Sequence, residues 1–296
     1  MLDIRRILCP TDFSDASRRA LEQAGMFASW FGAAVTVLHV SHPPPVIEGP
    51  VSFAAPPAGI SHASVCQART ALAESARLLR TAGIVVDELV LEDYDPEGRI
   101  LEQAASINAD MLVMGTHGRT GLGWLFVGSV TDHVLRKAPC PVLTVPPSAS
   151  RTANPPFKRV LCAVDFTPPS LEAVQFALRL VQEGNTRLTL LHVLPDALSG
   201  EAPARDTPAH RRRCDEAALY RLRAMVPPDA WAFCEPQTRV LRGTSYRAIV
   251  EVAAGEGSDV IVMGVGCKHV LDRLFVGSTT NQVVRHAGCP VLTVRR

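Results

Sequence analysis

The sequence repeats itself once along its length. Residues 6–13, RILCPTDF, recur as residues 159–166, RVLCAVDF, and residues 125–129, LFVGS, recur as residues 274–278. Near the end of each copy the chain reads CPVLTV. Two copies indicate a duplicated domain, because stacked-repeat folds need at least about three units to bury a continuous core. A chain of 296 residues also has room for two domains of ordinary size.

The repeat places one domain at residues 1–147 and another at residues 157–296, which we call unit 1 and unit 2. Residues 148–156 form the predicted linker. The surrounding segment from Pro146 to Pro156, PPSASRTANPP, is rich in proline and polar residues, a composition typical of a semi-rigid spacer. We therefore expect two domains joined by a short spacer.

Each unit alternates short apolar runs with amphipathic segments of helical period. For unit 1 this pattern predicts strands at 5–9, 33–40, 84–91, 111–114 and 142–145, and helices at 14–30, 63–81, 96–107 and 128–137. Ser14 is the expected N-cap of the first helix, and Thr167, followed by Pro168, is its counterpart in unit 2. Five strands linked by helices predict an α/β fold, with a parallel sheet covered on both faces.

The clearest functional signal lies between the fourth predicted strand and the fourth helix. The apolar run Met111–Met114 stops at Gly115, and Gly118, Gly128 and Ser129 complete the spacing Gly-x2-Gly-x9-Gly-Ser. Glycine lets backbone amides turn toward a ligand, and the first amides of a helix have no partner within the helix and favour negative charge. The pattern predicts a phosphate site. The alternative is a tight surface loop that needs glycine only for its turns.

Other candidate residues lie at the ends of the first two strands and within the glycine loop. A carboxylate repels phosphates, so Asp12 is expected to accept hydrogen bonds from a ribose or base; it is also a candidate N-cap for the helix that starts near Ser14, and both roles are compatible. Val40 would offer backbone groups and an apolar wall to a base. His117 and Arg119 either reach phosphates or face solvent.

These motifs resemble the universal stress protein family in its tandem two-domain form. The resemblance covers nearly the whole chain, and its most specific parts are PTDFS at residues 10–14 and the Gly115–Ser129 pattern. It implies two Rossmann-like domains of the adenine nucleotide alpha hydrolase type, each with a five-stranded parallel sheet in the order 3-2-1-4-5. It also implies that the two units pair through their last strands.

The resemblance further implies an ATP site, and the leading prediction is an ATP-binding regulator of the stress response that binds ATP, with or without Mg2+, chiefly in unit 1. The site residues that the resemblance implies there are Asp12, Val40, Met114, Gly115, Gly118, Gly128, Ser129, Val130 and Thr131. Pro10, Thr11, His117 and Arg119 complete the predicted site. A homodimer of chains is a further expectation.

Unit 2 departs from the pattern at the second glycine, which is replaced by Cys267, and Asp272 adds a carboxylate to the same loop. A side chain where the backbone must approach a phosphate weakens an anion site, and a non-glycine residue at positive φ costs about 1 kcal/mol or more. We therefore expect a weaker second site. The site residues that unit 2 keeps are Asp165, Val193, Gly264, Gly277 and Ser278.

Composition excludes several other classes of protein. The formal net charge is +1, which gives no electrostatic footprint for nucleic acid. The sequence has neither a signal-peptide pattern nor the run of roughly 20 apolar residues that a membrane helix needs, so a cytoplasmic protein is expected. The eight cysteines show no CxxC spacing and are expected to act as reduced, small apolar residues, with no metal site.

Two alternative functions stay open from the sequence. One is a slow ATPase or phosphotransferase, although the loop lacks the Gly-Lys-Ser/Thr end of a P-loop and the sequence offers no evident carboxylate pair for metal ions. The other is an interaction scaffold that works without nucleotide. A redox role for Cys267 is a third, smaller hypothesis.

Overall fold

A computed structural model describes residues 2–43, 59–116, 128–149, 157–182, 186–196, 207–266 and 277–295. Unit 1 contains β1 (Arg6–Pro10), α1 (Asp15–Phe31), β2 (Ala34–Ser41), α2 (Gly59–Thr81), β3 (Val86–Glu92), α3 (Pro96–Ser106), β4 (Met111–Gly115), α4 (Ser129–Lys137) and β5 (Val142–Val145). Every element predicted for this unit is present, and the largest shift is an earlier start of α2. The predicted linker lies largely outside the described residues.

Unit 2 repeats this order of elements. It contains β6 (Arg159–Ala163), α5 (Pro168–Leu180), β7 (Thr186–Leu194), α6 (Pro208–Ala224), a 3-10 turn (Pro228–Ala232), β8 (Cys234–Arg242), α7 (Ser245–Glu256), β9 (Val260–Gly264), α8 (Ser278–His286) and β10 (Val291–Val294). The 3-10 turn before β8 is the one addition to the pattern of unit 1 among the described residues.

All ten strands belong to one sheet, in the order β3-β2-β1-β4-β5-β10-β9-β6-β7-β8. Within each unit the strands are parallel and follow the order 3-2-1-4-5, so the α/β fold and its topology are confirmed. Among the described strands, β5 and β10 pair in antiparallel fashion, and Leu143 stands opposite Leu292. The two units therefore meet through their last strands, the pairing that the resemblance implied.

The strand pair β5–β10, which we call the seam, is nearly symmetric. The hydroxyl of Thr144 donates to the carbonyl of Val291 at 3.1 Å, and the hydroxyl of Thr293 donates to the carbonyl of Val142 at 3.1 Å. Both threonines are buried. Because each buried hydroxyl finds a partner on the opposite strand, hydrogen bonding offsets the cost of removing these polar side chains from water.

Hydrophobic layers cover both faces of the sheet and run across the seam. Helices α1, α2, α5 and α6 bury one layer, and α3, α4, α7 and α8 bury the other. Alternation along the strands sends Ile7 to the first layer and Leu8 to the second. The ring of Phe157, at the start of unit 2, lies 5.6 Å from that of Phe27 and 6.0 Å from that of Trp30 in unit 1. The units therefore share one continuous core.

The strand cysteines act as apolar residues, as expected. Cys9 and Cys162 are completely buried in β1 and β6, and burial raises the pKa of each thiol to about 12. All cysteines in the described part of the chain are free, and of these Cys66 is exposed. Cys267 lies outside the described residues.

Candidate functional site

The turn after β1 brings two predicted site residues, Thr11 and Asp12, to the carboxyl edge of the sheet. The amide of Thr11 donates to the carbonyl of Leu38 at 2.8 Å, which ties the turn to β2. Asp12 is half-buried, and its Oδ1 accepts the amide of Ser14 at 3.0 Å. The hydroxyl of Ser14 in turn accepts the amide of Ser17 at 3.3 Å. Ser14 is therefore the N-cap of α1, and Asp12 fixes the turn that precedes it.

Phe13 holds this turn in an unusual backbone conformation. Its φ is 65°, a left-handed value that costs a non-glycine residue roughly 1–2 kcal/mol. His39 stabilises the turn, because its ring packs 4.4 Å from that of Phe13 and its Nδ1 lies 2.8 Å from the carbonyl oxygen of Thr11. Unit 2 repeats the arrangement with Phe166, at φ 62°, and His192. Sequence reasoning missed these residues, although their recurrence in both units was a signal.

Gly115 ends β4 where the strand passes close to α1. A Cβ at this position would lie 2.9 Å from the carbonyl carbon of Ala16 and 3.0 Å from its oxygen. Gly264 meets the same constraint in unit 2, where a Cβ would overlap the backbone of Pro169. Glycine at both positions is explained by helix–strand packing, whereas the sequence suggested only an approach to phosphate.

The N-terminus of α4 lies beside the end of β4. The amide of Gly128 donates to the carbonyl of Thr116 at 2.9 Å, and the hydroxyl of Thr131 donates to the carbonyl of Gly115 at 2.9 Å. Gly128 is the N-cap residue, has φ −55° and ψ 142°, and provides no side-chain cap. Any residue could adopt these angles, so conformation does not require glycine here. Within the described residues, the first amides of α4, beginning with Ser129, therefore receive no cap from the N-cap side chain.

The remaining predicted residues of unit 1 differ in what they present to this edge. Val40 and Val130 are partly exposed and pack against the core layer of α3 and α4, so they form an apolar surface beside the helix end. Met114 is only 4% exposed and packs into that core, so it offers backbone alone. Pro10 is the last, buried residue of β1. The predicted residues outside the described part of the chain are His117, Gly118 and Arg119.

The carboxyl edge of unit 2 has the same elements in the same positions, but its side chains make different hydrogen bonds. Asp165 is exposed, and its Oδ1 accepts both the amide of Thr167 at 3.0 Å and the hydroxyl of Thr167 at 2.5 Å. Thr167 therefore occupies the N-cap position of α5, as predicted, but makes no side-chain cap. Gly277 is the N-cap of α8 with nearly the angles of Gly128. The hydroxyl of Thr280 lies 3.5 Å from the carbonyl oxygen of Gly264.

A cleft of about 690 Å³ opens at this edge of unit 2. It lies between the ends of β7 and β8 and the first turns of α7 and α8, and its lining includes Asp196, Thr244, Tyr246 and Ser278. Ser278 belongs to the predicted second site, and Val193 lies nearby on β7, half-buried. The carboxylate of Asp196 makes the cleft less favourable for an anion than a helix end alone would be.

The described ranges contain no group of three or more histidine, cysteine, aspartate or glutamate side chains placed to hold a metal ion. In the same ranges, no helix combines the length and apolar character that crossing a bilayer demands.

The fold defines a tandem of doubly wound α/β units with a candidate site at the carboxyl edge of each. The model of the universal stress protein family matches residues 3–146 and again residues 156–295. The chain therefore belongs to the universal stress protein family.

Individual relatives agree with this assignment. A universal stress protein of Methanocaldococcus jannaschii is 33% identical over 141 residues, which cover 48% of this chain and 81% of the relative. One from Thermus aquaticus is 33% identical over 143 residues, covering 48% and 98%. The crystal structure of a universal stress protein from Archaeoglobus fulgidus aligns over 100% of both chains with a TM-score of 0.71 and 23% identity, which supports the tandem fold.

Proposed function

We propose that the protein is a nucleotide-dependent regulator of the stress response and that it binds ATP mainly at the carboxyl edge of unit 1. The observation that carries the proposal is the N-terminus of α4. Its N-cap is a glycine without side chain, and two hydrogen bonds of 2.9 Å fix it to the end of β4. Membership of the universal stress protein family supports the assignment to the stress response.

The phosphates would lie against this helix end. Uncapped amides and the positive end of the helix dipole favour an anion there. The hydroxyl of Ser129, which is exposed, adds a donor. Thr131 has a different role, because its hydroxyl is bonded to Gly115 and holds the helix in place. The contacts predicted for His117, Gly118 and Arg119 complete this part of the proposal.

The nucleoside would lie toward the ends of β1 and β2. Val40 and Val130 provide apolar surface for a base. Asp12 provides a carboxylate for ribose hydroxyls or an amine, on a turn whose shape is set by Phe13 and His39. The carboxylate and the helix end thus suit opposite ends of one nucleotide, because negative charge repels phosphate and attracts hydroxyl donors.

Binding and signalling account for this site better than turnover does. The Oδ1 of Asp12, the one acid that we assign to the site, already accepts the amide of Ser14 and so maintains the turn. A slow ATPase remains the alternative, in which Mg2+ would be held chiefly by the phosphates. Further pairing of two chains into a homodimer stays a prediction.

The experiment exploits the ordinary backbone angles of Gly128. Aspartate is a favourable N-cap, so Gly128→Asp should leave the thermal unfolding midpoint unchanged or slightly raised. It also places a carboxylate where we expect phosphate, so ATP affinity should fall by about 30-fold or more, corresponding to roughly 2 kcal/mol. Isothermal titration calorimetry with ATP measures the affinity, and differential scanning calorimetry measures the midpoint.

Gly277→Asp is the matched control, because Gly277 occupies the same position on α8 with nearly the same angles. It should leave the stronger ATP site intact. ATP binding by Gly128→Asp as tight as that of the wild type would place the phosphates elsewhere and refute the proposal.

A further inference from the structure

A hydrogen bond between side chains joins α4 and α8, which approach each other across the seam. Asp132 lies in the first turn of α4, and Asn281 lies in the first turn of α8. The side-chain amide of Asn281 donates from Nδ2 to Oδ1 of Asp132 at 2.8 Å, and the two residues are 149 positions apart. Gly128 and Gly277 are separated by the same offset. Asp132 and Asn281 therefore occupy equivalent positions in the two units.

Equivalent residues meet here because the seam is nearly two-fold symmetric. The reciprocal bonds of Thr144 and Thr293 show that symmetry in the strands. At a true two-fold axis a residue on the axis faces its own copy. The sequence differs between the units at this position, so a carboxylate acceptor faces an amide donor. The result is a charge-assisted hydrogen bond, which is roughly twice as strong as a neutral one.

The carboxylate of Asp132 is also anchored from its own helix. Arg136 donates to its Oδ2 from Nη2 at 2.6 Å and from Nε at 3.0 Å. Arg295, just beyond β10, donates from Nη1 to the backbone carbonyl of Arg136. Each carboxylate oxygen thus has a distinct partner, with Oδ2 bound within unit 1 and Oδ1 bound to unit 2. The group is half-buried, so solvent only partly screens these contacts.

We propose that the Asp132–Asn281 pair makes the seam heterotypic: it lets the seam surface of unit 1 accept a unit 2 and disfavours a second copy of unit 1. Pairing of unit 1 with unit 1 from another chain would bring two Asp132 carboxylates together. Two carboxylates at hydrogen-bonding distance do not both ionise readily, so that pairing is penalised at neutral pH. Pairing of unit 2 with unit 2 would lose the charge-assisted bond without such a repulsion.

Substitutions in the full chain can reproduce the side-chain contact of each of these pairings at the existing seam. Asn281→Asp creates the Asp–Asp contact of a unit 1–unit 1 seam, and Asp132→Asn creates the Asn–Asn contact of a unit 2–unit 2 seam. The double variant exchanges the two residues. Arg285 follows position 281 by four residues, as Arg136 follows position 132, so the exchanged carboxylate again has an arginine one turn away.

Thermal unfolding at pH 7.5 should rank the four proteins. We expect Asn281→Asp to lower the Tm by about 5 °C and Asp132→Asn to lower it by about 2 °C. The double variant should be more stable than Asn281→Asp, because it restores an acceptor opposite a donor. This double-mutant cycle cancels the separate contributions of the neighbouring arginines and isolates the contact between positions 132 and 281.

A pH series separates charge repulsion from simple loss of packing. The charged or titratable side chains on the two helices are Asp132, His133, Arg136 and Lys137 on α4, and Arg285 and His286 on α8; Arg295 follows β10. In Asn281→Asp one carboxyl of the pair has a raised pKa in the folded state, so its destabilisation is full above that pKa and fades as the pH falls. The Tm deficit should therefore shrink between pH 7.5 and pH 5, and that of the double variant should not.

Two results would overturn the proposal. One is an Asn281→Asp protein as stable as the wild type at pH 7.5. The other is a double variant no more stable than Asn281→Asp, which would mean that position 281 tolerates no carboxylate whatever it faces.

Discussion

The two units have the same fold but differ in the hydrogen bonds that hold the fourth helix of each unit to the carboxyl edge of the sheet. In unit 1 the amide of Gly128 is fixed to Thr116 at 2.9 Å, a bond with no counterpart at Gly277 within the described residues. The hydroxyl of Thr131 lies 2.9 Å from its carbonyl partner, compared with 3.5 Å for Thr280. Unit 1 therefore holds the end of its fourth helix more tightly to the sheet than unit 2 does.

Other features of this edge have not diverged. Both units place a phenylalanine at positive φ against a histidine, and both require glycine where the fourth strand passes the first helix. These shared features are packing requirements of the fold. The comparison teaches that core contacts and the hydrogen bonds at the candidate site can differ independently, since the two units share the first and differ in the second.

The largest effect should come from the packing glycines and should be alike in both units. Gly115→Ala and Gly264→Ala each force a methyl group into the backbone of the neighbouring helix. We expect each to lower the free energy of unfolding by about 3 kcal/mol in urea titrations. Gly255→Ala, in α7 with nothing within 4 Å of its new methyl group, is the control and should not destabilise. A small loss of stability for only one of the two variants would show that the two glycines are not equivalent.

The next largest difference between the two units should be in their affinity for ATP. If the tighter α4 end marks the better site, a titration with ATP should give one strong site per chain and a second site weaker by about tenfold or more, corresponding to roughly 1.4 kcal/mol. Asp196 at the cleft of unit 2 acts in the same direction. Two sites of equal affinity would show that the bonding difference has no consequence for binding.

The smallest effect should come from the two threonines beneath the helix ends. Thr131→Val removes a 2.9 Å hydrogen bond to Gly115, and Thr280→Val removes a 3.5 Å contact to Gly264. We expect losses of about 1 kcal/mol and about 0.5 kcal/mol in the free energy of unfolding. Equal losses would indicate that the helix ends are held alike.

Local signals in the sequence predicted the elements well. Apolar periodicity located the strands and helices, and Ser14 was recognised as a cap because its partner is three residues away. The strand order came from the family resemblance, since periodicity does not specify which strands are neighbours. The sequence predicted that the turn after β1, the end of β4 and the start of α4 lie together at the carboxyl edge of the sheet. It did not reveal that Met114 packs into the core or that Thr167 is bonded to Asp165.

The missed contacts depend on distant parts of the chain. Gly115 is constrained by Ala16, and Asp132 by Asn281. Such contacts follow from the register of strands and from the packing of helices, which a local pattern does not contain. The sequence shows that unit 2 has Asn281 where unit 1 has Asp132. Only the structure shows that these two residues contact each other across the seam.

Joining β5 to β10 also removes two strand edges from solvent. Both strands read VLTV and are buried along their whole length, a composition that would invite unwanted strand addition if it were uncovered. The edges that remain are β3 and β8 at the far ends of the sheet. The first carries Asp87 and Glu88, and the second carries Pro236, residues that discourage the addition of another strand. Fusing two units in one chain thus protects each from aggregation through its last strand.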